Sequence, residues 1–96
     1  MLKKISEHNI EQYLIKRCKQ LHFFCAKFTS PGLDGVPDRI IITPKGVYFV
    51  ELKRPKQKPR ALQKAVMRKM EQSGANVFCC DSIEQVDQLL NTIINI

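Results

Sequence analysis

Ninety-six residues make one domain's worth of chain, and a hydrophobic share of 44% is ordinary for a globular fold and too high for a disordered one. A chain of this size buries roughly 60–70% of the surface it exposes when unfolded, so one modest core is expected, with residues 1–96 forming a single domain. No apolar stretch approaches the roughly 20 residues of a membrane span. No apolar run follows Lys3 and Lys4 in the manner of a secretory leader, so the expectation is a cytoplasmic protein with no membrane partner.

The net charge of +7 is unevenly distributed. From Leu52 to Met70 the chain holds Lys53, Arg54, Lys56, Lys58, Arg60, Lys64, Arg68 and Lys69 and no acid, whereas beyond Met70 it holds acids and no Lys or Arg. Such a block suits a polyanion, although a merely solvated face reads the same way. Cys18, Cys25, Cys79 and Cys80 lack the C-x2–4-C spacing of a zinc site, and the expectation is reduced, at least partly buried thiols. Cys79 and Cys80, adjacent in a strand, should point to opposite faces.

In chain order, Ser6 can cap a first helix whose stripe is Ile10, Leu14, Cys18 and Leu21. His22 to Thr29 alternates as a strand, and Ser30 to Val36 is turn-rich. Asp38 to Thr43 is a β-branched run expected to be buried. Pro44-Lys45-Gly46 turns it into a hairpin with Val47 to Lys53. A proline-bounded basic loop, Arg54 to Pro59, leads to a helix over Arg60 to Ser73 with apolar spacing at Leu62, Val66 and Met70 and Gly74 as its stop. Ala75 to Cys80 is a fourth strand. A final helix follows Ser82, with Gln85 completing a capping-box pattern and a stripe of Ile83, Val86, Leu89, Leu90, Ile93 and Ile94. The order αβββαβα, with a helical crossover before the last strand, predicts an α/β fold: a mixed four-stranded sheet flanked by helices. Phe23, Phe24, Phe28, Tyr48 and Phe49 are core candidates.

The chemistry concentrates between Gly35 and Lys53. Residues two apart in a strand share a face, so Glu51 and Lys53 do, and Leu52 faces away. The hairpin brings Asp38, at the start of one strand, beside Glu51 and Lys53, near the end of the other. Two carboxylates and a lysine meeting at a strand end suit metal-assisted phosphodiester hydrolysis. The acids hold Mg²⁺ or Mn²⁺, and the lysine offsets phosphate charge or orients water. Plain turn chemistry at Asp38 and a solvated Glu-x-Lys face are the competing readings. His8 and His22 lie outside this region and are weak candidates for a base.

The string Gly35-Val36-Pro37-Asp38-Arg39, followed by Val47 to Pro55 (VYFVELKRP) and then Gln63, resembles the VRR-NUC domain (virus-type replication-repair nuclease) of the PD-(D/E)xK superfamily. Pro37-Asp38 matches the PD and Glu51-Leu52-Lys53 the ExK, and the resemblance runs from Glu11 to about Val86. It implies a restriction-endonuclease-like core and a metal held by Glu11, Asp38, Glu51 and the carbonyl of Leu52. Lys53 and Gln63 join Asp38 and Glu51 in catalysis. By residue type alone, Glu11 also fits an exposed helix carboxylate and Gln63 a surface position. The resemblance further implies a homodimer acting on branched DNA such as four-way junctions, in a bacterial or phage-infected cell, with Mg²⁺ or Mn²⁺ and no small-molecule cofactor. Arg54, Lys56, Lys58, Arg60 and Lys64 are the expected DNA contacts. The alternative is a non-catalytic nucleic-acid-binding module, or a subunit of a DNA repair complex. It accounts for the basic block but not for carboxylates beside it.

Overall fold

The computed structural model describes residues 5–96; Lys3 and Lys4 lie outside the described residues. Seven elements follow in the expected order: α1 (Glu7–Gln20), β1 (Phe24–Lys27), β2 (Arg39–Thr43), β3 (Gly46–Leu52), α2 (Ala61–Gln72), β4 (Asn76–Cys80) and α3 (Ile83–Ile94). The strands lie side by side as β1-β2-β3-β4, antiparallel for the first two pairings and parallel between β3 and β4. The α2 crossover makes that last pairing parallel, because the chain must return to the same end of the sheet before re-entering it. Among the described residues, no helix is long and apolar enough to cross a membrane.

Helix ends are fixed by local chemistry. Ser6 Oγ accepts the Asn9 amide N–H while Asn9 Oδ1 accepts the Ser6 amide, a reciprocal cap. At the other end of α1, His22 occupies the left-handed region at φ 60°. Its N–H donates to the Lys19 carbonyl, and the Phe23 N–H donates to the Cys18 carbonyl. These are the two bonds of a Schellman ending, with histidine where glycine is usual. The first strand is therefore shorter than expected, since His22 is spent on the cap. Gly74, at φ 102°, ends α2 with the same pair of bonds, Gly74 to Glu71 and Ala75 to Met70. In α3 the expected capping box is displaced. Ser82 accepts the Gln85 amide, but Gln85 Oε1 accepts from Asp81 rather than from Ser82.

The two faces of the sheet differ. On one, Ile41, Tyr48, Val50, Leu52 and Cys80 pack beneath Ile10, Leu14 and Cys18 of α1 and Val86, Leu89, Leu90 and Ile93 of α3 as the core. The other face is covered only in part by α2, which packs on β4 and buries Gln63, Val66 and Met67. Several apolar expectations are corrected there. Phe24 is 60% exposed, Ile42 and Val47 are exposed, and Leu62 lies open beside Leu33. One helix cannot span a four-stranded sheet, so residues facing β1 and β2 on that side stay uncovered. Phe28 and Phe49 partly fill the gap edge-to-face, with ring centroids 5.0 Å apart.

Candidate active site

Asp38, Glu51 and Lys53 meet at one end of the half-covered face. β2 begins at Arg39, one residue later than expected, and Arg39 pairs with Val50. Asp38 thus stands opposite Glu51 as the ladder opens. The Asp38 carbonyl accepts the Phe28 N–H at 2.8 Å, and its Oδ2 accepts the Leu52 N–H at 2.9 Å. This side-chain bond clamps the acid against β3. The Lys53 N–H donates to the Cys80 carbonyl at 2.9 Å, extending the parallel ladder past the end of β3. That backbone bond sets the direction of the lysine side chain.

Glu51 is 1% exposed and Lys53 is 8% exposed. Lys53 Nζ lies 3.0 Å from Glu51 Oε2 as an ion pair, yet among the described residues neither carboxylate oxygen of Glu51 has an aligned hydrogen-bond partner. The contact is a charge pairing without hydrogen-bond alignment. A buried carboxylate left in this way is costly. Burial pushes the Glu51 carboxyl up from 4.5 to about 7; Lys53 opposes the rise, and the neighbouring Asp38 adds to it. Two unbonded buried oxygens beside a second acid form a donor set suited to a hard divalent cation, which prefers oxygen and keeps several waters. The residues therefore fit such an ion.

The remaining expected residues take separate positions. Glu11 is not gathered with this pair: its Oε2 accepts from Arg39 Nε at 3.0 Å, a half-buried ion pair. Among the described residues, no three His, Cys, Asp or Glu side chains stand close enough to share one ion. Arg39 itself went without a role in the sequence. Strand alternation offers the signal, because the residue after Asp38 must face α1, where Glu11 lies. The Leu52 side chain faces the core, as expected. Gln63 is 8% exposed rather than a surface residue, and its Oε1 accepts the Arg60 N–H at 2.9 Å. It thereby supplies half of a cap that the arginine at the N-cap cannot complete, so among the described residues no side chain caps the first N–H groups of α2. Arg54, Lys56, Lys58, Arg60 and Lys64 are all exposed around this helix start. The four cysteines are free thiols. Cys80 is in the core, whereas Cys79, expected to be partly buried, is exposed and pairs with Glu51 across the parallel ladder.

No family model matches the chain. Nuclease p44 of Acyrthosiphon pisum secondary endosymbiont phage 1 is 35% identical over 82 residues, which cover 84% of this chain and 88% of that protein. A solved VRR_NUC domain is similar with a TM-score of 0.82 at 33% identity, over 88% of this chain and 94% of its own. A solved VRR_NUC domain protein reaches a TM-score of 0.82 at 15% identity, over 97% and 91%, a likeness of fold. The mixed sheet, its flanking helices and these relatives define a nuclease domain of the α/β class. The chain belongs to the VRR-NUC family.

Proposed function

We propose that the protein is a metal-dependent endonuclease of the PD-(D/E)xK type that hydrolyses DNA phosphodiester bonds. The observation that carries the reading is the buried Glu51 carboxylate, unbonded at both oxygens, beside Asp38 and 3.0 Å from Lys53. Asp38, Glu51 and the Leu52 carbonyl would hold Mg²⁺ or Mn²⁺, with Glu11, itself held by Arg39, as an outer candidate. When bound, the ion supplies Lewis-acid polarisation of a phosphoryl oxygen and a water of lowered pKa. Lys53 places its ammonium where negative charge grows on the phosphate, and Gln63 steadies the start of α2 beside it. The uncapped N–H groups of α2, with no acid in its first turn, favour an anion at that end. Arg54, Lys56, Lys58, Arg60 and Lys64 draw the DNA to the site.

The setting is the cytoplasm of a bacterial or phage-infected cell, and the working form is a homodimer on branched DNA. One site cuts one strand, so paired cuts favour a twofold pair of copies. Phe24, Ile42 and Val47, exposed in one row across three strands, support that pairing, since contiguous apolar surface marks contact sites. The Ile-rich α3 is unsuited to it, because its apolar side is buried in the core.

Cleavage of linear, nicked, flapped and four-way DNA with Mg²⁺ or Mn²⁺ tests the activity. Asp38→Asn and Glu51→Gln should each lose at least about 10²-fold in rate while still binding DNA. Absence of cutting on every substrate would leave only a DNA-binding module. Sedimentation of the parent and of Ile42→Glu tests the dimer, which the variant should split.

A further inference from the structure

The groove between α2 and the edge strand β4 has a volume of about 230 Å³. Lys64, Met67, Arg68 and Glu71 of α2 line it together with Val77 and Cys79 of β4. Cys79 pairs with Glu51 in register, so the two residues share a sheet face about 4.8 Å apart. Desolvation by partial burial pushes the Cys79 thiol above its ordinary range, Glu51 and Asp81 add to this, and Lys53 and Lys58 oppose it. Two cations of the basic segment, Lys64 and Arg68, thus border a groove whose Cys79 end adjoins the buried acid in register. Arg60, Lys64 and Arg68 recur at every fourth position, one stripe along α2 about 12 Å long. Lys64 and Arg68 are exposed, and neither forms an ion pair among the described residues.

The geometry points to this groove as the subsite for the DNA strand next to the scissile phosphate, with Lys64 and Arg68 on nearby backbone phosphates of that strand and Cys79 beneath the sugars between them. The occupant is a polyanionic strand because Lys64 and Arg68 line the groove as cations unpaired among the described residues, Met67 and Val77 give it an apolar surface, and its Cys79 end stands beside Glu51 in the ladder. The inference rests on the reading of the site as a nuclease centre, and extends it from the scissile bond to the path of the strand. A stripe about 12 Å long spans roughly three to four nucleotide steps at about 3.4 Å of axis each, and Lys64 and Arg68, about 6 Å apart, roughly two. Glu71 marks where the track ends, since a carboxylate there repels a further phosphate.

Alkylation of the full chain by N-ethylmaleimide at pH 8, without divalent cation, tests the track with no reference to cleavage. Cys25, half-buried on the opposite edge strand, serves as the internal reference. With a short DNA duplex at about ten times its Kd, labelling of Cys79 should slow roughly tenfold, because it proceeds from the free fraction, while Cys25 labels unchanged. The double variant Lys64→Ala/Arg68→Ala should lower the slope of log Kd against log salt by about 2. Glu71→Gln should tighten binding. Asp38→Asn, deficient in cutting, should still shield Cys79, which separates this inference from the catalytic one. Full-rate labelling of Cys79 on DNA-saturated protein, or an unchanged salt slope in the double variant, overturns the track. Failure to bind DNA at all overturns it together with the choice of partner.

Discussion

Glu51→Gln exchanges a buried carboxylate for a neutral amide of the same shape, and the structure sets the size of its effect. Burial raises the folded-state value of this carboxyl from 4.5 to about 7. Between those values the folded protein holds a proton that the unfolded chain has released. The stability contributed by the protonated carboxyl is therefore full below pH 4.5 and is lost as pH climbs to about 7. At about 1.4 kcal/mol for each pH unit, the loss is about 3 kcal/mol. Above pH 7 and without divalent cation, the glutamine variant should be more stable than the parent by about that amount, a rise in Tm of more than about 10 °C in a domain of this size. At pH 4 the two should melt together. Added Mg²⁺ or Mn²⁺ should raise the Tm of the parent and leave the variant nearly unchanged, because only the carboxylate gains a partner. Calorimetry from pH 4 to 9, with and without the ion, reads all three outcomes. A variant no more stable than its parent at pH 8, or a gap independent of pH, would refute the argument that Glu51 is an unsatisfied buried acid.

Three further outcomes follow from local geometry. Asp38→Asn keeps an acceptor for the Leu52 N–H and should melt close to the parent, whereas Asp38→Ala orphans that donor and should cost about 1–3 kcal/mol; urea unfolding distinguishes them. His22→Gly removes a side chain from the left-handed cap of α1 and should stabilise the fold by up to about 1 kcal/mol, with a loss of stability disproving the cap assignment. Gly35→Ala should destabilise by more than about 1 kcal/mol. At φ 90° the new Cβ would lie 3.2 Å from both Leu62 Cγ and Val66 Cγ2, and thermal unfolding is the check.

The glycine of the Gly35-Val36-Pro37-Asp38 string shows how a motif encodes packing as well as chemistry. It lets the loop approach α2 closely, and Pro37, fully buried, follows it into the strand. Period-two alternation in β3 was enough to place Glu51 and Lys53 on one face and Leu52 on the other, since side-chain direction in a strand depends on residue parity alone. The hairpin turn at Pro44 and Lys45 was enough to bring Asp38 to Glu51. The apolar stripe of α3 was equally plain, because that helix packs on the core along its whole length.

Position on the sheet is a different matter. Leu62 and Phe24 carry the same apolar signal as core residues, and only the reach of α2 across the sheet leaves them open. The bond between Glu11 and Arg39 joins residues 28 positions apart and arises from the docking of α1, which no local pattern reports. Gln63 looks like any helix-surface amide until α2 is laid against β4 and buries it. Local periodicity thus determined the elements, their order and the meeting of Asp38 with Glu51, because these depend on bond geometry within a few residues. The burial of Glu51 without a hydrogen bond, the pairing that occupies Glu11 and the groove beside Cys79 were decided by the tertiary structure, because desolvation and charge pairing depend on which distant surfaces are pressed together.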